Sequence, residues 1–487
     1  MGDLAELTGI DVPTGLLIGG EWGAGRAGGT FGVLDPATEE SLAEVADATV
    51  DDALDAVGAA HDALGGWANT APRQRAEILR TAFELMTERS EQFARLMAAE
   101  NGKSLRDARG EATYAAEFFR WYAEEAVRIE GTLMRAPSGA NRILTLRQPI
   151  GVSLLVTPWN FPAAMATRKI GPALAAGCSV VLKPAEDTPL TALALAALLE
   201  EAGVPRGVVN VVTTDRKNAG PVVEAIIKDP RVRKLSFTGS TQVGRILLRE
   251  AADSVVSCSM ELGGNAPFVI FEDADIPAAV EGAMLAKMRN GGEACTAANR
   301  FYVHEAVADE FTREFAARMK SLKVGPGLEE DTELGPLVNQ ATLDKVSGLV
   351  EQAAGGGRVV LGGKAPDRKG YFYDATLIDG VPADAGILGE EIFGPVAPVV
   401  RFTDEADAIR WANATEYGLV SYVYTRDLGR GLAVSEALEA GMVGLNRGLV
   451  SDPAAPFGGV KQSGLGREGA HEGLLEYTET KYIATDW

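Results

Sequence analysis

The group best suited to covalent chemistry in this chain is a thiol set among glycines and polar residues. The three cysteines are Cys178, Cys258 and Cys295. Cys178 and Cys258 lie in or beside apolar, β-branched stretches and read as small core hydrophobes. Cys295 falls in the run Arg-Asn-Gly-Gly-Glu-Ala-Cys-Thr at 289–296, at the end of a helical pattern. Such a site is partly open and rich in backbone donors, where a nucleophilic thiolate can be stabilised. Taken alone, it also fits an inert loop thiol.

Two further stretches have ligand chemistry. At 237–244, Gly239 and Ser240 form a turn between a strand and a helix that carries Gly244. The free N–H groups and dipole of the helix N-terminus suit a pyrophosphate. This is not the three-glycine dinucleotide fingerprint, and such a turn can be purely structural. Lys183 and Glu186 follow the strand pattern at 179–182. At the C-terminal end of a parallel strand such a pair can bind ribose hydroxyls, or it can be a solvated surface pair. In the first case Glu186 repels a 2′-phosphate and favours NAD over NADP.

These residues need rigid elements to position them. Apolar residues at 74–99 recur at helical spacing and predict a helix that Gly102 stops. From Gly151 the pattern alternates. Strands are expected at 151–156, 179–182, 208–212 and 235–238. Helices are expected at 162–176, from Thr188 to Gly203, and from about Thr241, with Pro172 kinking the first. A second run has strands at 267–271, 396–402, 420–424 and 442–445, with helices at 276–288, 406–412 and 429–438. Alternation of this kind predicts two doubly wound α/β domains of parallel strands, joined near 261–267. Segments 142–148 and 477–483 alternate like exposed strands whose edges need a partner.

Composition narrows the function classes. The chain has 487 residues, 46% hydrophobic and 23% charged, as in an ordinary globular protein of two to four domains. A net charge of −22 repels a nucleic-acid backbone. The acidic start Met-Gly-Asp-Leu-Ala-Glu lacks a signal-peptide pattern, and no apolar run is long enough to span a bilayer. Three cysteines without paired spacing suit a reducing cytoplasm. The three histidines are isolated, so no metal site is expected.

Seven motifs together resemble the aldehyde dehydrogenase superfamily, in the family order and from about Pro36 to the C-terminus. They are Pro-Trp-Asn-Phe-Pro at 158–162, Lys-Pro-Ala-Glu at 183–186, Phe-Thr-Gly-Ser-Thr at 237–241 and Glu-Leu-Gly-Gly-Asn at 261–265. The others are the Cys295 run, Glu-Ile-Phe-Gly-Pro at 391–395 and Pro-Phe-Gly-Gly-Val-Lys at 456–461. The resemblance implies that Cys295 is the nucleophile. It implies that Asn160 and the Cys295 N–H hold the oxyanion, and that Glu261 activates water. Read singly, Glu261 could instead cap a glycine turn and Asn160 could cap the helix that begins at Pro162. Thr157, Trp159, Lys183, Glu186, Gly239, Ser240, Gly244, Glu391 and Phe393 would hold NAD, with NADP less favoured. Lys169 and Glu468 match positions linked to proton movement. The implied subunit has a Rossmann-like NAD-binding domain (1–130 and 151–262) and a catalytic domain (263–467). A small β oligomerisation element (131–150 and 468–487) would build a homodimer or homotetramer.

Within the superfamily the chain is most similar to succinate-semialdehyde dehydrogenases, through 165–169, Arg289-Asn290, 444–446 and Val450-Ser451. An anionic aldehyde needs a cation pair at the far end of its tunnel, and arginine binds carboxylates bidentately. Arg168 follows Asn160 by eight residues, which returns a helix to nearly the same face. Arg289 ends the helix before Cys295, and Ser451 can add a hydrogen bond. Either arginine could instead make an interdomain ion pair. Glutarate semialdehyde, one methylene longer, and broad aldehyde specificity are the alternatives. CoA-acylating relatives generally lack the glutamate present here as Glu261. A non-catalytic scaffold would not need Cys295, Asn160 and Glu261 together.

Three positions depart from the family pattern. Glu293 replaces a usual Gln and would raise the thiol pKa if it pointed at the sulfur. Ala297 stands where some relatives have a second cysteine, so no disulfide switch is expected. Arg447 replaces a frequent Glu and would add positive potential near the entrance.

Overall fold

The computed structural model describes residues 4–486; residues 1–3 of the acidic start and residue 487 lie outside the described residues. Two large sheets dominate. The first has eight strands in the order Gly464–Leu465, Ser257–Glu261, Val232–Thr238, Val152–Val156, Val180–Lys183, Val209–Val211, Leu16–Ile18, Glu21–Gly23. Its five central strands are parallel, and antiparallel strands close both edges. The second has seven strands, running from Arg358–Leu361 through Thr376–Asp379, Val396–Phe402, Ala298–His304, Ala266–Ile270 and Val420–Tyr424 to Met442–Leu445. All its pairings are parallel except the first. Parallel strands must be covered on both faces, and the central strands of both sheets are accordingly buried.

The helix Pro162–Ala176 matches its sequence signals, with proline in the first turn and Gly177 at φ 97° as the cap. The stretch 74–99 does not form one helix. Pro72–Glu88 and Ser90–Asn101 are separate helices, broken at Arg89 with φ −99° and ψ 17°. Apolar spacing misses a break of this kind when both helices bury their apolar faces in the same core. Ala298–His304, in the middle of the second sheet, was also not expected. Its start, Ala-Asn-Arg, reads as polar, yet Arg300 is buried by donating to the backbone carbonyls of Asn265, Trp411 and Ala412.

Strands Thr132–Arg135, Arg142–Pro149 and Thr478–Thr485 form a separate antiparallel sheet with exposed faces, as 142–148 and 477–483 predict. The short strand Gly464–Leu465, near the end of the second run, returns to the edge of the first sheet beside Glu261. No helix among the described residues is long and apolar enough to cross a membrane.

Candidate active site

Cys295 is delivered by a turn that few sequences could make. After the helix Ile276–Lys287, residues Asn290, Gly291 and Gly292 take φ of 53°, 62° and 76°. Glycine and asparagine tolerate this left-handed region. A Cβ at Gly292 would lie 2.3 Å from the Gly394 carbonyl oxygen. A Cβ at Gly264 would lie 2.1 Å from the carbonyl oxygen of Cys295 itself, so the backbones here touch. Tyr422 fixes the far side by donating its hydroxyl to the Thr296 carbonyl at 2.9 Å.

The half-buried Cys295 sits where two cavities meet. The larger, about 200 Å³, is lined by Trp159, Asn160, Gly239, Ser240, Lys345, Glu391 and Phe393 among others. Trp159 and Phe393 meet edge to face at 5.4 Å. Phe393 holds φ 56°, a strained value for an aromatic residue and one that recurs at functional sites. Glu391 accepts from the Gly264 N–H at 2.9 Å, while Lys345 donates to the Glu391 carbonyl at 2.6 Å. Aromatic walls, a glycine turn and a half-buried carboxylate are suitable groups for a nicotinamide and its ribose. The smaller cavity, about 20 Å³, brings Arg168, Arg289 and Ser451 together with Phe457 and Cys295.

Asn160 is fully buried. Its side-chain amide donates to the Glu293 carbonyl at 3.0 Å, leaving one N–H for another acceptor. It does not cap the following helix, because Phe161 occupies the cap position without a side-chain bond. Glu111 caps that helix from a distance, accepting from the N–H groups of Ala163 and Ala164 at 2.9 and 3.2 Å. Lys103 pairs with Glu111 at 2.5 Å and donates to the Asn160 carbonyl at 2.6 Å. Neither residue stood out in the sequence. A lone lysine and glutamate eight positions apart give no local signal of a buried pair.

Glu261 ends the strand Ser257–Glu261, and neither carboxyl oxygen has a hydrogen-bond partner. Burial, reinforced by Glu468, pushes its pKa well above the usual carboxylate range. Lys169 donates to Ser236 at 3.0 Å and pairs with Glu468, which also holds Arg168 at 2.5 Å. The Arg168 guanidinium lies 4.2 Å above the Phe457 ring. The expected clamp arginine is therefore already part of an ion pair. Arg289 stacks over Phe161 at 5.1 Å and forms no ion pair among the described residues.

Burial pushes the Cys295 thiol up to about 12, although the residue opens onto the cavity, which eases that penalty. Arg168 and Arg289 oppose the shift, while Glu261 and Glu391 add to it. Glu293 plays no such part. Its carboxyl turns away and accepts from the Val338 N–H at 3.1 Å.

Several expected cofactor residues lie outside the larger cavity. Gly244 packs beneath Leu262, where a Cβ would come within 2.4 Å, which accounts for its glycine by packing. Thr157 is buried and bonds through its backbone to Lys183 at 3.2 Å. Lys183 lies 3.7 Å from Glu186, and Glu186 lies 4.0 Å from Arg216 in a separate groove. Arg447 is exposed and donates to the Leu449 carbonyl at 2.9 Å. Cys178, Cys258 and Cys295 are all free thiols; Cys178 is buried and Cys258 partly so.

The aldehyde dehydrogenase family pattern matches residues 22–483. A succinate-semialdehyde dehydrogenase of Paenarthrobacter nicotinovorans is 58% identical over 443 residues, covering 91% of this chain and 98% of the relative. An Escherichia coli K12 succinate-semialdehyde dehydrogenase named for NADP(+) is 49% identical, covering 96% of each chain. A crystal structure of succinate-semialdehyde dehydrogenase from Burkholderia pseudomallei superposes with a TM-score of 0.96 at 48% identity, covering 98% of both chains. With Cys295 on a loop between two cavities, one of them suited to a nicotinamide, this chain belongs to the aldehyde dehydrogenase family of NAD(P)-dependent oxidoreductases.

Proposed function

We propose that the protein oxidises succinate semialdehyde to succinate with NAD and water. The observation that carries the substrate choice is the small cavity beside Cys295, where Arg289 has no carboxylate partner among the described residues. An ω-carboxylate there gains a planar, bidentate cation. Arg168, shared with Glu468, adds positive potential, and Ser451 adds a hydrogen bond.

The Cys295 thiolate adds to the aldehyde carbon, forming a C–S bond. The free Asn160 amide N–H and the Cys295 backbone N–H hold the resulting oxyanion. When bound, the nicotinamide supplies the acceptor for the hydride leaving that carbon. Cys295 then carries a thioester. Glu261 takes a proton from water as the water attacks, and the thiolate leaves with succinate released. The presence of Glu261 to activate water favours hydrolysis of the thioester over its transfer to CoA.

Glu186 favours NAD over NADP by repelling a 2′-phosphate, with Lys183 and Arg216 softening that repulsion. The domain division is 1–130 with 151–262 for NAD, 263–467 for catalysis, and 131–150 with 468–487 for assembly into a homodimer or homotetramer. Three free thiols suit a reducing cytoplasm.

The test is initial NADH formation with succinate semialdehyde, glutarate semialdehyde and an uncharged aldehyde of similar length, with NADP in parallel. Preference for the anionic aldehydes with NAD is the expected result. Equal turnover of the uncharged aldehyde would overturn the substrate assignment and leave the oxidation chemistry standing.

A further inference from the structure

Tyr114, on the helix Leu105–Glu125, lines the small cavity that also holds Arg168, Arg289, Ser451 and Cys295. Three positions earlier the same helix carries Glu111, which caps the helix bearing Arg168, so one rigid element fixes both. The Tyr114 ring is held edge to face against Phe118 at 4.9 Å. The residue as a whole is half-buried, yet its hydroxyl oxygen is shut off from solvent and makes no hydrogen bond among the described residues.

A buried hydroxyl without a partner is costly, and such groups are rare. The charged side chains that share this cavity are Arg168 and Arg289, and a guanidinium has only donors. Either arginine can give a hydrogen to the Tyr114 oxygen; neither can take the Tyr114 proton. The Met165 sulfur already accepts from Arg168 at 3.1 Å. Burial raises the Tyr114 pKa, with the two arginines opposing, so the phenol keeps its proton near neutral pH and remains a donor. The cavity thus presents an O–H without an acceptor together with an arginine that has no carboxylate among the described residues. A carboxylate, with two oxygens and no hydrogens, supplies what both lack.

We propose that Tyr114 is a specificity-determining residue whose hydroxyl donates to the ω-carboxylate of the substrate, beside Arg289. It selects in two ways. A carboxylate end gains a hydrogen bond to a charged group, while an alkyl end leaves the hydroxyl and the arginine buried and unpaired. The inference rests on the substrate reading proposed above.

The experiment compares the full-length protein with Y114F. It records KM and kcat for succinate semialdehyde and for an uncharged aldehyde of similar length, and the thermal midpoint with and without a fixed concentration of succinate. Y114F should raise KM for succinate semialdehyde by about tenfold or more, the loss of a hydrogen bond to a charged group. KM for the uncharged aldehyde should shift by less than about threefold. Without ligand, the Y114F midpoint should equal or exceed that of the wild type, because the oxygen removed had no partner. Succinate should then raise the wild-type midpoint more than that of Y114F. A tyrosine that only packs would give a lower unliganded midpoint and equal changes with both aldehydes. That result, or an unchanged KM for succinate semialdehyde, would overturn the proposal. A wild type that turns over the uncharged aldehyde equally would overturn the substrate reading instead, and the succinate-dependent midpoints would still decide for or against Tyr114.

Discussion

At the scale of single residues, protonation states decide the order of events. Glu261 is buried without a hydrogen-bond partner, and burial reinforced by Glu468 holds it well above the usual carboxylate range, so the fraction able to act as a base grows as pH rises. Thioester hydrolysis should therefore speed up as pH rises through that raised pKa. In Glu261→Gln the first turnover should survive as a burst of NADH, while the steady-state rate falls by about 10²–10⁴. Rapid-mixing kinetics separates the two phases, and loss of the burst itself would show that Glu261 also serves the first step. The arginines should differ as well. Arg289→Gln should raise KM for succinate semialdehyde by about 10–100-fold and hardly affect an uncharged aldehyde. Steady-state assays with both substrates check this. The motifs around Cys295, Asn160 and Glu261 were legible in the sequence. The partners of these residues were not, because Glu111 and Lys103 act across more than fifty positions.

At the scale of elements, the site depends on helix starts and strand ends held by distant groups. The helix Pro162–Ala176 carries Arg168 and Lys169, and its first turn is capped by Glu111 from the helix Leu105–Glu125. Glu111→Gln keeps the shape but leaves the buried Lys103 charge uncompensated. The expected cost is about 3–5 kcal/mol of stability, read by chemical denaturation. A smaller loss would mean that Lys103 finds another partner. The sequence located this helix correctly but misread 74–99 as one. Its apolar period continues through Arg89, and only the backbone reveals the break there.

At the scale of the whole molecule, charge and unpaired edges set the behaviour. A net charge of −22 would repel the proposed anionic aldehyde at long range, and exposed Arg447 is proposed to offset that repulsion locally. Arg447→Glu should raise KM for succinate semialdehyde at low salt, with the difference fading as salt screens it. Identical constants at low salt would remove Arg447 from substrate capture. The three-stranded sheet exposes Leu133, Met134 and Tyr482 on strands that lie outside both large sheets. Replacing Leu133 and Tyr482 with lysine should shift the protein toward smaller species in sedimentation velocity. An unchanged mass would remove this sheet from the proposed assembly.

The sequence by itself determined the alternating α/β plan, the motif order and the glycine-rich turn that carries Cys295. Those features are local: periodicity, glycine spacing and short runs whose chemistry does not depend on distant neighbours. Only the tertiary structure decided which charges are already spent. Arg168 meets Glu468 from a position 300 residues away, Arg289 is left without a carboxylate, and Glu293 turns from the sulfur to Val338. Pairing and desolvation act through space, and buried groups take their protonation state from whatever the fold packs against them.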